Sequence, residues 1–244
     1  MSNISYISLS QATALERNLN LTAHNLANAN TAGFKALQPL FESVEDSSSE
    51  NNISYVQDRG TYLDTREGAL VPTGNPFDVA ISGDGWFSFQ IPGDEPAYGR
   101  HGRLILDVDG QLKTSGGYPI LDAGGGPVAL PDDAGADITI TAGGAITDST
   151  GAVLGNIGVF TIEQGAQMLS LGGGMYQLPS TAAAPQPAET AQVKQGFVEG
   201  SNVQAVLEMT RLIDVQRAYE NAVKLMNEDD GLLQNAIQTL GPSG

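Results

Sequence analysis

The chain has 244 residues, enough for one sizeable domain or two small ones, and sets 11 Lys and Arg against 28 Asp and Glu, a formal net charge of −17. So acidic a surface repels nucleic acid and anionic membranes, and the absence of cysteine excludes disulfides and thiolate metal sites. No run approaches the roughly 18 apolar residues of a membrane-spanning helix, and Met1–Gln11 lacks the basic and apolar segments of an ordinary signal peptide, so export is expected to use another route.

Residues 5–32 are predicted to form a helix. Ala12, Leu15, Leu19, Thr22, Leu26 and Ala29 recur at spacings of three and four, which draws a narrow apolar seam along one face. Gly33 is the expected stop, with Asn28 and Asn30 as tolerant exit residues. Residues 36–75 read as a linker with short extended runs near Ile53–Gln57 and Thr61–Thr65, and Ser43–Asn52 is acidic, serine-rich and poor in apolar residues. From 76 to 198 the pattern is many short strands between turn signals. The clearest are Phe77–Ser82, Trp86–Ile91, Arg103–Val108, Ile138–Thr141, Gly158–Ile162 and Met175–Leu178.

The last element is a long helix, expected over Ser201–Leu240. Leu212, Val215, Tyr219, Ala222, Met226, Leu233, Ala236 and Leu240 follow the same spacing, broken only by Asp229. Val203, Val206, Met209, Thr210 and Ile213 add a second stripe in the first half, Ser201 and Asn202 offer N-cap chemistry, and Gly241-Pro242 offer the stop. Neither terminal helix can bury its seam alone. Pairing them covers both seams, and bundling with other subunits covers more. The expected fold class is α+β: paired N- and C-terminal helices, coiled-coil-like, with an inserted, mainly antiparallel all-β domain. Four segments follow: 1–35, the first helix; 36–75, the linker; 76–198, the β domain; 199–244, the second helix.

Catalytic chemistry is hard to find. The two histidines, His24 and His101, lie far apart with no cysteine near, so no metal site or nucleophile–base pair is visible. Asp107-Val108-Asp109-Gly110 fails the calcium-loop pattern, because Gly110 falls at the fourth position and Tyr118 stands where a bidentate Glu belongs; a hairpin turn is expected instead. The glycine runs lack the Lys-Ser/Thr ending of a phosphate loop. Paired carboxylates such as Asp132 and Asp133 read as solvated surface in so acidic a chain. No cofactor, metal or catalytic residue is expected. Three function classes stay open on these grounds: a helical structural subunit, a β-rich binding module or adhesin, and an acidic envelope enzyme.

Three blocks narrow the choice. Ala23-His24-Asn25-Leu26-Ala27-Asn28-Ala29-Asn30-Thr31-Ala32-Gly33-Phe34-Lys35 resembles the N-terminal signature of bacterial flagellar axial proteins, the rod and hook family. Gly74-Asn75-Pro76-Phe77-Asp78-Val79-Ala80-Ile81-Ser82-Gly83-Asp84-Gly85-Trp86-Phe87 resembles the same family. So does Gly196-Phe197-Val198-Glu199-Gly200-Ser201-Asn202-Val203, followed by Gln216-Arg217-Ala218-Tyr219-Glu220. Within it the proximal rod type is the nearest match, on Asp84-Gly85-Trp86, Pro127–Pro131 and Glu199–Val203. Residues 216–220 look more like distal rod and hook proteins, and His24 stands where the family usually has Asn.

The resemblance implies a structural subunit of the basal-body rod, not an enzyme. It would polymerise through its terminal helices into a hollow drive shaft that transmits torque, with the β domain outside the helical layer. It also implies other rod proteins as partners, passage through the flagellar type III export apparatus, a location across the periplasm, and terminal arms that order on assembly. Seam residues expected to carry assembly are Leu15, Leu19, Leu26, Val206, Met209, Ile213, Tyr219 and Met226. The motif residues are Asn25, Asn28, Thr31, Gly33, Phe34, Ser201, Asn202, Gln216, Arg217 and Glu220.

Overall fold

The computed structural model describes residues 3–46, 53–93, 95–131, 137–163 and 165–240, with side chains for all of these except 3–5, 45, 46, 53, 230, 233, 234 and 236–240. Ser47–Asn52 of the acidic stretch, Asp132, Asp133, the Gly241-Pro242 stop and the side chains of Leu233, Ala236 and Leu240 therefore lie outside the description. The fold is α+β, with an N-terminal helix, a mostly antiparallel β body and a C-terminal helix. The chain divides into two compact units: Met1–Ala27, Leu37–Tyr62 and Gln204–Gly244 form one; Asn28–Ala36 and Leu63–Val203 form the other.

The first unit holds helix α1 (Asn3–Ala27) and strands β1 (Leu37–Asp46) and β2 (Ile53–Leu63, its last residue belonging to the second unit), which pair as a two-stranded sheet. Ser43–Asp46, part of the stretch read as linker, thus continue a strand, and the two short runs expected at 53–57 and 61–65 fuse into one. The unit's second helix runs Ala205–Leu240 and is called α2 below; α1 lies against it. Ala12, Ala14, Leu21 and Thr22 are buried on α1, and Val215 and Ala222 on α2. Four of these six, Ala12, Ala14, Thr22 and Ala222, are small, which favours close approach of two helix backbones.

Both helices are shorter at the junction end than expected. α1 stops at Ala27, not at residue 32. From Asn28 the backbone turns: the Thr31 N–H donates to the Asn28 carbonyl at 3.1 Å, and the Thr31 hydroxyl donates to Asn28 Oδ1 at 3.2 Å. Short polar side chains that bond their neighbours compete with helix at this place. α2 starts at Ala205, not at Ser201. Ser201 Oγ accepts the Val203 N–H at 3.1 Å, and the first helical bond runs from the Glu208 N–H to the Gln204 carbonyl. Asn202 does not cap the helix; its side-chain amide bonds the backbone of Ala36, Asp64 and Arg66, as described below.

The second unit holds the remaining strands. In chain order they are β3 (Leu70–Pro72), β4 (Val79–Ser82), β5 (Trp86–Phe89), β6 (Ala97–Gly99), β7 (Leu104–Leu106), β8 (Leu112–Thr114), β9 (Thr139–Ile140) and β10 (Ala145–Thr147). Then come β11 (Val153–Asn156), β12 (Val159–Thr161), β13 (Leu169–Gly172), β14 (Met175–Gln177), β15 (Gln186–Pro187), β16 (Gln192–Gln195) and β17 (Phe197–Glu199). A six-stranded antiparallel sheet has the order β13-β14-β6-β5-β12-β15; smaller pairings are β11-β10-β9, β16-β4, β17-β3 and β7-β8. Each of the six runs expected from the sequence contains a strand.

The core is aliphatic and aromatic: Val79, Ile81, Phe87, Phe89, Leu104, Leu112, Ile120, Ile146 and Ile157 are at most 1% exposed. Asp109-Gly110 forms the turn between β7 and β8, with the Gly110 N–H bonded to the Asp107 carbonyl at 3.0 Å. That is the hairpin the sequence suggested. A second, smaller cluster packs Trp86, Tyr98 and Tyr176, and it faces the place where the two ends of the unit meet.

Candidate functional site: a buried clasp joining two terminal motifs

Residues 33–36, just after α1, and 198–202, just before α2, run side by side within the second unit. The Gly33 N–H donates to the Glu199 carbonyl at 2.8 Å, and the Asn202 N–H to the Phe34 carbonyl at 3.3 Å. Gly33 has φ +68°, and a Cβ there would sit 2.4 Å from the Arg100 carbonyl carbon and the His101 nitrogen. Only glycine fits.

A buried ion cluster locks the crossing. Glu199 Oε1 accepts the Lys35 ammonium at 2.7 Å and the Gly68 N–H at 2.8 Å; Oε2 accepts Arg100 Nη1 at 3.1 Å. The side chains of Lys35 and Glu199 are wholly buried, and that of Arg100 is 2% exposed. Lys35 also donates to the Arg66 carbonyl at 2.6 Å, and Arg100 Nη2 to the Gly83 carbonyl at 2.8 Å. The guanidinium carbon lies 5.7 Å from the centre of the Trp86 ring, which adds a cation–π contact. Two cations meet one carboxylate. Burial pushes the Lys35 ammonium below the usual lysine value, against the pull of Glu199, and Arg100 lowers it further.

Tyr176 closes the cluster from below. Its hydroxyl accepts the Lys35 N–H at 3.2 Å and donates to the Lys35 carbonyl at 3.3 Å, while its ring meets Trp86 edge-on at 5.9 Å. Burial raises its pKa to about 12. Asn202 braces the other side: Oδ1 accepts the Ala36 N–H at 2.8 Å, and Nδ2 donates to the carbonyls of Asp64 and Arg66 at 2.8 and 3.1 Å. His101 is half-buried with Nδ1 3.4 Å from the Ala32 carbonyl, and burial pushes its pKa down. Nothing in this arrangement offers a nucleophile with a base beside it. Its chemistry is that of a brace.

The motif residues divide by place. Asn28, Thr31, Gly33, Phe34, Ser201 and Asn202 lie in this crossing region of the second unit. Asn25 belongs to the first, where it is 1% exposed and forms two bonds of 2.9 Å with the N–H and C=O of Leu37. Gln216, Arg217 and Glu220 are exposed on α2, with Gln216 Nε2 bonded to Glu220 Oε1 at 3.1 Å. Of the seam residues, Leu15, Leu19, Leu26, Tyr219 and Met226 are half-buried in the first unit. Val206, Met209 and Ile213 are 76%, 52% and 50% exposed.

Sequence reasoning passed over Lys35, Glu199, Arg100 and Tyr176. Lys35 and Glu199 stood inside the quoted blocks, and Lys35 is one of three charges in the first 35 residues. That scarcity was the available signal. Nothing local marks Arg100 or Tyr176, which reach the cluster through the sheet. Among the described residues, no group of three or more His, Asp or Glu is placed to hold a metal ion, and no helix is long and apolar enough to cross a membrane.

A pair of terminal helices in one unit, and a brace of motif residues in a β-rich second unit with no catalytic constellation, describe a structural protein. Three family descriptions match the chain: "Flagella basal body rod protein" over residues 6–35, "Flagellar hook protein FlgE/F/G D1 domain" over 80–148, and "Flagellar basal body rod FlgEFG protein C-terminal" over 194–239. The chain belongs to the flagellar basal-body rod protein family. It is similar to the flagellar basal-body rod protein FlgF of Rhizobium meliloti (strain 1021), 41% identical over 98% of each chain. The FlgF proteins of Mesorhizobium japonicum and Caulobacter vibrioides are 39% and 36% identical over 97% and 99% of each chain. The protein is a structural component of the flagellar basal body, not an enzyme.

Proposed function

We propose that the chain is a proximal rod subunit that polymerises through α1 and α2 into a hollow shaft transmitting torque. In this reading residues 1–35 and 199–244 make an inner layer of coiled-coil-like helix pairs. Residues 36–75 link that layer to a β domain over 76–198. The subunit leaves the cytoplasm through the flagellar type III export apparatus and takes its place in the rod across the periplasm, among other rod proteins and away from nucleic acid. Likeness to relatives named FlgF supports the proximal position, and the net charge of −17 supports the exclusion of nucleic acid.

One observation carries the helical mechanism. α2 has two apolar faces, and α1 can cover only one. Val215 and Ala222 are buried, with Leu212, Tyr219 and Met226 half-buried on the same face, while Val206, Met209 and Ile213 stand in solvent on another. A stripe of that kind on a subunit of an axial assembly fits burial against neighbouring helices. Ile213→Asp should change folding stability by no more than about 0.5 kcal/mol, as exposed substitutions do. It should still abolish incorporation into basal bodies and motility. Normal motility with Ile213→Asp would remove the helical-layer reading.

A further inference from the structure

The six-stranded sheet of the second unit has two edges, and they differ. The β15 edge is blunted by Pro187, within the strand, and Pro185 just before it. The β13 edge has no proline and no charge. All four of its residues are exposed, with Leu169 65% and Leu171 42% accessible, and its one irregularity is a bulge between Ser170 and Gly172. Natural edge strands are normally guarded by lysine, proline or a covering segment, because their open N–H and C=O groups template another strand. Here the guard is confined to one side of the sheet.

Two further features coincide with this edge. A cleft of about 450 Å³ opens beside Leu171, bordered by His101, Thr114, Tyr118 and Met175. A second of about 240 Å³ opens beside Leu169, bordered by Leu178, Pro179, Gln177 and Glu95. An open strand edge with side-chain recesses along it is what strand addition needs: backbone bonds for affinity, recesses for alternate side chains. Charge points the same way. Residues 164–188 contain no Asp, Glu, Lys or Arg, the longest such run in a chain of net charge −17. Two copies of so acidic a protein repel, and they meet at least cost where one of them carries no charge.

We infer that the β13 edge, with Leu169 and Leu171, is an interaction surface that accepts an extended segment of a second copy of this chain. This rests on the rod-subunit reading, which sets copies side by side. It adds a contact in the β body to those of the helices. A mobile loop of the same chain is a poorer occupant, since the stretch from Ser180 to β16 is already used in β15 and its flanks.

The chain has no cysteine and a single tryptophan, so the surface is best tested with a genetically encoded probe. Leu171 is replaced by p-benzoylphenylalanine in one tagged copy, co-expressed with a differently tagged copy lacking the probe. Cells are irradiated and basal bodies purified. The surface predicts a product of twice 25.4 kDa carrying both tags, at least tenfold above that from the probe at Val108, which is 92% exposed outside this edge. Incorporation without such a product, or with products joined only to other proteins, overturns the inference and leaves the rod reading intact. Absence of both tags from basal bodies overturns the rod reading and this inference with it. Leu169→Glu with Leu171→Glu gives a second readout. It should leave the melting temperature unchanged and cut the two-tag product, probed then from Ser170, at least tenfold; an undiminished product would also overturn it.

Discussion

Replacing Glu199 with alanine removes the carboxylate that both Lys35 and Arg100 meet. Lys35 would keep the Arg66 carbonyl at 2.6 Å and Arg100 the Gly83 carbonyl at 2.8 Å, so neither loses every hydrogen bond. Both lose their counter-ion, in a place where their side chains are 0% and 2% exposed, and the Gly68 N–H loses its acceptor. Breaking a buried pair from one side costs about 3–5 kcal/mol, because a charge is left without compensation. Part of that is recovered if Lys35 sheds its proton, which burial already favours. Lys35→Met makes the informative contrast. It leaves Glu199 and Arg100 as a one-to-one pair and fills the space with an apolar chain, so it should cost less than half as much. Urea unfolding followed by Trp86 fluorescence is the assay, since Trp86 is the only tryptophan and packs against Arg100. A Glu199→Ala loss below about 1 kcal/mol, or a larger loss for Lys35→Met, would refute the claim that this carboxylate holds the crossing together.

Alkali should loosen the same cluster. Burial pushes the Tyr176 hydroxyl up to about 12, from 10.0 for a free tyrosine. The folded state therefore binds more protons in that window, so stability is intact below pH 10 and falls as pH rises through 12, by about 3 kcal/mol in all. Tyr176→Phe should lack this fall; an unchanged alkaline slope would place the titration elsewhere. Gly33→Ala should cost about 1–3 kcal/mol from its positive φ alone, with the clash against Arg100 and His101 added. A variant as stable as the parent by urea unfolding would mean the segment moves aside freely.

The sequence announced its strands and helices more readily than their junction. Three-four spacing placed both helices, because period is a local property, and short apolar runs between glycines placed six strands. The helix ends were misplaced by four or five residues where Asn28, Thr31 and Asn202 bond to turns and distant carbonyls. The Asn28–Thr31 turn is local and competes with helix, whereas the Asn202 bonds join segments far apart in the chain, which no local pattern encodes. The resemblance blocks did contain Lys35 and Glu199, but their pairing depends on β17 lying beside residues 33–36. Arg100 and Tyr176 join through the sheet, and pairing order is what local periodicity does not carry. The second stripe of α2 was legible as a stripe, and Val206, Met209 and Ile213 on it are exposed in the single chain.

A helical inner layer requires that stripe to be covered in the rod. Because the chain has no native cysteine, Met209→Cys gives a single labelling site on the exposed face of α2, where Met209 is 52% accessible. Maleimide labelling is measured on the purified chain and on intact basal bodies containing the same variant, with Val108→Cys as the reference site. Cys at 209 should label rapidly in the free chain and at least tenfold more slowly in basal bodies, with the Val108 site less changed. Equal labelling of position 209 in both states would contradict the helical inner layer.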